Sequence, residues 1–225
     1  MSDRRALMGA VSGSGGGGNT LKEILECTIT SISNDTVTKL NSQAFRNNTN
    51  ITSAEFPNAT DIVTEAFRGC SGLANINVKS ATNIGGNAFM GTKITALALP
   101  DLLYVANSSL ANMAYCEAID ISGYNGLHNT CMQNCTKLTT LIIRSTRVPS
   151  LSGVAFINGT PFKSGGTGGT IYIPKVLYDE LGTGSSLDYK AATNWSTIDG
   201  YGTITWAQIE GSQYEYYYAD GTPIS

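Results

Sequence analysis

Ala66-Phe67-Arg68-Gly69-Cys70-Ser71-Gly72-Leu73-Ala74-Asn75-Ile76-Asn77-Val78 decides how the rest of the chain is read. Its Ala-Phe pair recurs at Ala44-Phe45, Ala88-Phe89 and Ala155-Phe156, and Ser109-Leu110 and Cys131-Met132 hold the same place between them. Counted on the second residue of each pair, the spacings are 22, 22, 21, 22 and 24 residues. A sustained period of this length is the mark of stacked repeats.

The other apolar positions keep step with that slot. Six residues past it stand Ile51, Leu73, Cys116 and Leu138; nine past, Ala54, Ile76, Ile119 and Leu141; eleven past, Phe56, Val78, Ile121 and Ile143. The third copy is one residue short, with Ile94, Leu97 and Leu99 as equivalents. Five residues before the slot come Leu40, Ile62, Ile84, Val105, Leu127 and Leu151, and eight before come Val37, Ala59, Ala81, Leu102, Tyr124 and Val148. The alternation Ile76-x-Val78 puts two apolar groups on one face of a short strand. One copy cannot bury that face alone, whereas stacked copies share a continuous core.

Composition narrows the function classes. The chain has 225 residues, 41% of them hydrophobic and only 14% charged, with a net charge of -3. No Lys/Arg cluster exceeds Arg4-Arg5, so the counterion release that drives nucleic-acid binding has no source. No apolar run is long enough to insert in a membrane. The run Ala6 to Val11 is too short for a convincing signal peptide, so conventional secretion is not the expected route. Asn-x-Ser/Thr triplets such as Asn50-Ile51-Thr52 are expected by chance in a chain this rich in Asn and Thr. Of the five cysteines, Cys70, Cys116, Cys131 and Cys135 occupy repeat positions and read as small core fillers; Cys27 lies ahead of the array.

In chain order, residues 1–19 form a flexible N-terminal attachment segment ending in Gly15 to Gly18, either an artificial linker or a hinge to an attachment tip. Residues 20–175 carry the solenoid. Its first part is an N-terminal cap with Thr20 at a helix start and Cys27 to Ile32 as a decayed strand. Each copy reads as a turn, a helical or irregular arc with the Phe slot, and a strand. Residues 176–225 break the period as a C-terminal cap and Tyr-rich tail. Short helices are expected at Val176 to Leu181 and Leu187 to Thr193, and a strand at Thr203 to Trp206. Trp195 and Trp206 are expected to cover the open end of the core.

The copies resemble BspA-like leucine-rich repeats, built on Ala-Phe-x-x-Cys-x-x-Leu-x-x-Ile-x-Val, over roughly residues 27–175. Tyr172-Ile173-Pro174 and Tyr189 to Trp195 are similar to the segment that closes such arrays. The resemblance implies an α/β repeat solenoid: a leucine-rich-repeat-like right-handed stack of about six 22-residue coils with a parallel sheet. A parallel β-helix, with short strands in place of the arcs, is the rival. The Asn that usually follows the strand is replaced by Ala59, Ala81 or Leu102, so no asparagine ladder is expected there. The family implies adhesion or recognition at a bacterial surface, without catalysis. The opening Met1 to Met8 resembles the starts of some bacteriophage tail proteins. That points to a virion component folded in the host cytoplasm, with a bacterial surface protein as the alternative.

Catalytic groupings are thin. A Cys–His pair would rest on His128, the only histidine, with Cys131, which sits in the inward Ala slot. Cys131-x-x-x-Cys135 lacks a second ligand pair, so no metal and no cofactor is assigned. Glu55 and Asp120 share a column three coils apart, roughly 14 Å at ~4.8 Å per coil, too far for a glycosidase pair. Binding is the better reading. The outward strand column Glu55, Asn77, Ala98, Asp120, Ile142, Tyr172 lies beside Ser53, Asn75, Ala96, Ala118, Thr140, Thr170. Together they rule a flat surface whose candidate contacts are Glu55, Asn77, Asp120, Ile142 and Tyr172. The expected partners are a host cell-surface glycan or protein, other virion tail proteins through the N-terminal segment, and a further copy of the chain. A purely structural tail role and a carbohydrate-active enzyme are the alternatives.

Overall fold

Each repeat is too short to fold alone, and what closes it is the next repeat. The computed structural model describes residues 29–156, 159–163 and 165–210, with the backbone of 216–217 and 223–224. The expectations for residues 1–19, Thr20, Cys27 and most of the Tyr-rich tail lie outside the described residues. In the tail, only β13 (Tyr216–Tyr217) and β14 (Pro223–Ile224) are described, paired antiparallel.

The chain winds as a parallel-strand β-solenoid. One side is built from the longer strands β1 (Ser31–Ser33), β3 (Ser53–Glu55), β5 (Asn75–Asn77), β7 (Ala96–Leu99), β9 (Ala118–Ile121), β10 (Thr140–Ile143), β11 (Gly169–Ile173) and β12 (Ile204–Gln208). They pair in parallel as two ladders, β1-β3-β5 and β7-β9-β10-β11-β12. The ladders part where the third copy lacks a residue. A second side carries two-residue strands, β2 (Lys39–Leu40), β4 (Asp61–Ile62), β6 (Asn83–Ile84) and β8 (Tyr104–Val105). That ladder runs across the break and continues as single bridges from Val105 to Leu127 and from Leu127 to Leu151. Ile32 pairs with Ala54, so the decayed first coil joins the stack.

The arc between the two sides carries the Phe slot, and it is made of turns rather than helix. The backbone explains this. Two residues before the slot, Gln43, Glu65, Asn87, Ser108 and Thr130 all have φ between 55° and 60°. Two residues after it, Asn47, Gly69, Gly91, Asn112 and Asn134 have φ between 58° and 77°. A left-handed residue on each flank stops a helix from propagating and bends the chain back. It also accounts for Asn or Gly in the second column, since those residues tolerate this conformation best.

Inside, the predicted columns are buried throughout, from Ile51, Ala54 and Phe56 to Leu138, Leu141 and Ile143, and the short copy places Ile94, Leu97 and Leu99 there too. Phe67 stacks between Phe45 at 5.1 Å and Phe89 at 5.7 Å, with rings nearly parallel. Cys70 and Cys135 donate their thiols to the carbonyls of Phe45 and Leu110, one coil back. The edges are stitched by hydroxyls: Thr52, Thr60 and Thr82 each donate to a carbonyl 22 residues earlier. Ala59, Ala81 and Leu102 are buried where the strand ends, and in the left-handed column Asn134 donates to Asn112 at 2.9 Å.

Tyr124 departs from its column. Expected inward, it is 41% exposed. Gly123, at φ 66°, takes the inner place, where even an added Cβ would already touch Leu127, Ile121 and Ile143. A tyrosine ring would not fit that gap, so the chain turns one residue early and sends the ring out.

The far end is closed as expected by aromatic residues. Trp195 is buried and donates to the Pro149 carbonyl at 2.7 Å, and its ring meets Tyr189 edge-on at 4.9 Å. Trp206, on β12, packs 5.1 Å from Tyr189 and donates to Asp199. The helices differ from expectation. α1 is Lys175–Tyr178, residues 187–193 form turns instead of a helix, and α2 is Trp195–Asp199. The Asp188 carboxylate accepts the Gly184 and Lys190 N–H groups, which holds that segment in turns.

Candidate binding surface

The outward strand columns form as ruled. Ser33, Glu55 and Asn77 are successive partners in the first ladder. Ala98, Asp120, Ile142, Tyr172 and Ala207 are successive partners in the second. The column is therefore one line broken once, between Asn77 and Ala98. It is also less open than a free wall: Asn77 and Asp120 are buried, and Glu55, Ile142 and Tyr172 are half-buried.

Asp120 is held in place. Arg144 reaches back diagonally from the end of β10 and donates through Nε to Oδ1 at 2.8 Å and through Nη2 to Oδ2 at 2.6 Å. Burial pushes the Asp120 carboxyl up to about 6, and the Arg144 bonds pull against that without cancelling it. Both carboxylate oxygens are occupied, so a ligand would meet the pair rather than a free acid.

The cysteine candidate has the geometry of a core residue. Cys131 is fully buried, and burial raises its thiol far above the usual range. Cys135 is pushed up to about 11, also by burial. His128 faces outward, its ring 4.5 Å from that of Tyr104. Among the described residues no three His, Cys, Asp or Glu side chains group as metal ligands. Among them, too, no helix is long and apolar enough to cross a membrane.

The structure brings together a second set of residues that the column reading did not single out. The outward column of the short-strand side runs Lys39, Asp61, Asn83, Tyr104. Its first three members bind one another: Lys39 pairs with Asp61 at 3.0 Å, and Asn83 donates to Asp61 at 2.9 Å. Then the chemistry changes. Tyr104 and its neighbour Leu103 are 39% and 44% exposed, beside Tyr124. Arg147 lies over the Tyr124 ring at 3.6 Å and donates to the Tyr124 carbonyl. The sequence signal was available: the repeat replaces polar Asn83 by Tyr104 in the same place.

Beyond these, between the last coil and α2, lies a pocket of about 290 Å³. Leu151, Phe156, Phe162 and Ile198 form its apolar floor, and Ser152, Lys163, Asn194, Thr197 and Tyr201 supply polar groups. Asn194 donates to the Leu151 carbonyl at 2.6 Å, tying the cap to the solenoid at this point.

Comparison with known proteins agrees with the coil geometry. No curated protein matches the chain. Residues 38–163 match the family described as BspA type leucine-rich repeat region, in 6 copies. The match spans more than half of the chain and falls on the coils that carry the Phe slot, so this protein belongs to the BspA-type leucine-rich repeat family.

Proposed function

We propose that the chain is a non-enzymatic recognition module of a bacteriophage tail, binding a host cell-surface receptor that is a glycan or a protein. The repeat region suits a protein-interaction or adhesion role. The observation that carries the reading is the solenoid whose inner columns are spent on packing while Leu103, Tyr104 and Tyr124 of the later coils stay exposed. The most reactive side-chain type available, the thiol, is sealed in the core at Cys116, Cys131 and Cys135. The phage setting rests on the resemblance of Met1 to Met8 to tail-protein starts, with residues 1–19 serving as the attachment to the rest of the tail.

The test is adhesion of the purified, fluorescently labelled chain to a panel of bacterial strains. Saturable retention on some strains and not others is expected. Absence of retention on every strain would overturn the reading.

A further inference from the structure

The later coils carry a surface with the chemistry and spacing of a polysaccharide track. Tyr104 contacts His128 on the next coil. Gly126, just before Leu127 on that coil, is buried under Ser150, and a Cβ there would strike the Ser150 hydroxyl. His128 follows Leu127, and Ser152 follows Leu151, and Leu127 and Leu151 are bridged partners. So His128 and Ser152 are consecutive members of one column. Ser152 also donates to Asn129 and lines the pocket. Tyr104, His128, Ser152 and the pocket lined by Tyr201 thus follow one another on successive coils, with Tyr104 set obliquely two residues off the His128–Ser152 column.

We infer that this path binds a linear glycan, one sugar per coil, with the pocket taking a terminal pyranose. The inference rests on the adhesion reading and specifies its receptor. Coils repeat at ~4.8 Å, about the length of one pyranose residue. Exposed tyrosine rings offer flat apolar faces to sugar C–H groups, while their hydroxyls, His128, Asn194 and Thr197 offer partners for sugar hydroxyls. The pocket combines an apolar floor with a few polar groups at its sides, as small-ligand sites do.

The test titrates the full chain with linear oligosaccharides of glucose, galactose and N-acetylglucosamine, one to four residues long. Binding is followed by calorimetry and by tryptophan emission from Trp195 and Trp206, the Trp195 ring lying 6.5 Å from that of Phe156 in the pocket floor. At least one series is expected to bind, with affinity rising about ten-fold from one residue to three. Tyr104→Ala, at an exposed position, should remove that gain and leave the single sugar bound; Tyr201→Ala should weaken both about ten-fold. Val176→Ala, exposed on α1, should change neither. Failure of all three series to bind, affinity independent of length, or indifference to both tyrosine substitutions would overturn the inference. Periodate treatment of cells separates it from adhesion as such. Retention lost on treated cells supports the glycan, whereas retention that persists overturns the glycan and leaves adhesion standing. If no strain retains the chain, adhesion fails and the titration alone decides the track.

Discussion

Single residues decide where this surface is fixed and where it is free. Asp120 carries the clearest pH signature. Its carboxyl is held at about 6 against an ordinary 3.8. Between those values the folded chain binds more protons than the unfolded chain, so this residue makes stability fall as pH rises through that window. Asp120→Asn should flatten the slope of unfolding free energy between about pH 4 and 6. Arg144→Ala should cost about 3–5 kcal/mol at pH 7, by leaving a buried charge alone, and less at pH 4, where Asp120 is protonated; chemical denaturation at the two pH values measures both. Thr130 is the other residue-scale feature. It is β-branched at φ 55°, a conformation that Asn87 fills in the equivalent place. Thr130→Asn should raise stability by about 0.5–1 kcal/mol, read from the denaturation midpoint.

At the scale of elements, the Phe slot is where sequence and structure agree most closely. The period places Phe45, Phe67 and Phe89 one above another, and they form a stacked column. Phe67→Ala should cost about 3–5 kcal/mol, through the cavity left between two rings. Phe67→Leu should cost distinctly less, because Leu110 and Met132 already occupy the same slot fully buried. Comparing both variants by thermal and urea unfolding checks this. The period could not disclose what depends on a single backbone angle or on distant chain. Tyr124 occupies an apolar column by count, and only the left-handed turn at Gly123 turns it outward. Arg144 sits two residues beyond the Asp120 column, so its diagonal reach has no trace in the repeat. The pocket joins Leu151 to Asn194 across 43 residues of chain, much of it outside any repeat. The Asp188 turn network overrides the helical tendency of residues 187–193.

For the whole molecule, the division of labour follows from stacking. The early coils spend their outward short-strand column on mutual pairing at Lys39, Asp61 and Asn83. The later coils leave Tyr104 and its neighbours open and end in a capped pocket. The one-residue shortening of the third copy divides the longer-strand side into two ladders while the short-strand side passes through unbroken. Pulled from its two ends, such a rod should give way first at Asn77 to Ala96, where the longer-strand seam is missing and the short-strand ladder and the arc bonds of Glu65, Phe67 and Gly69 to the next coil carry the load. A stretching experiment on single molecules should therefore record two rupture events, with the seams that remain acting as a strap that lets the tip swing before the body tears.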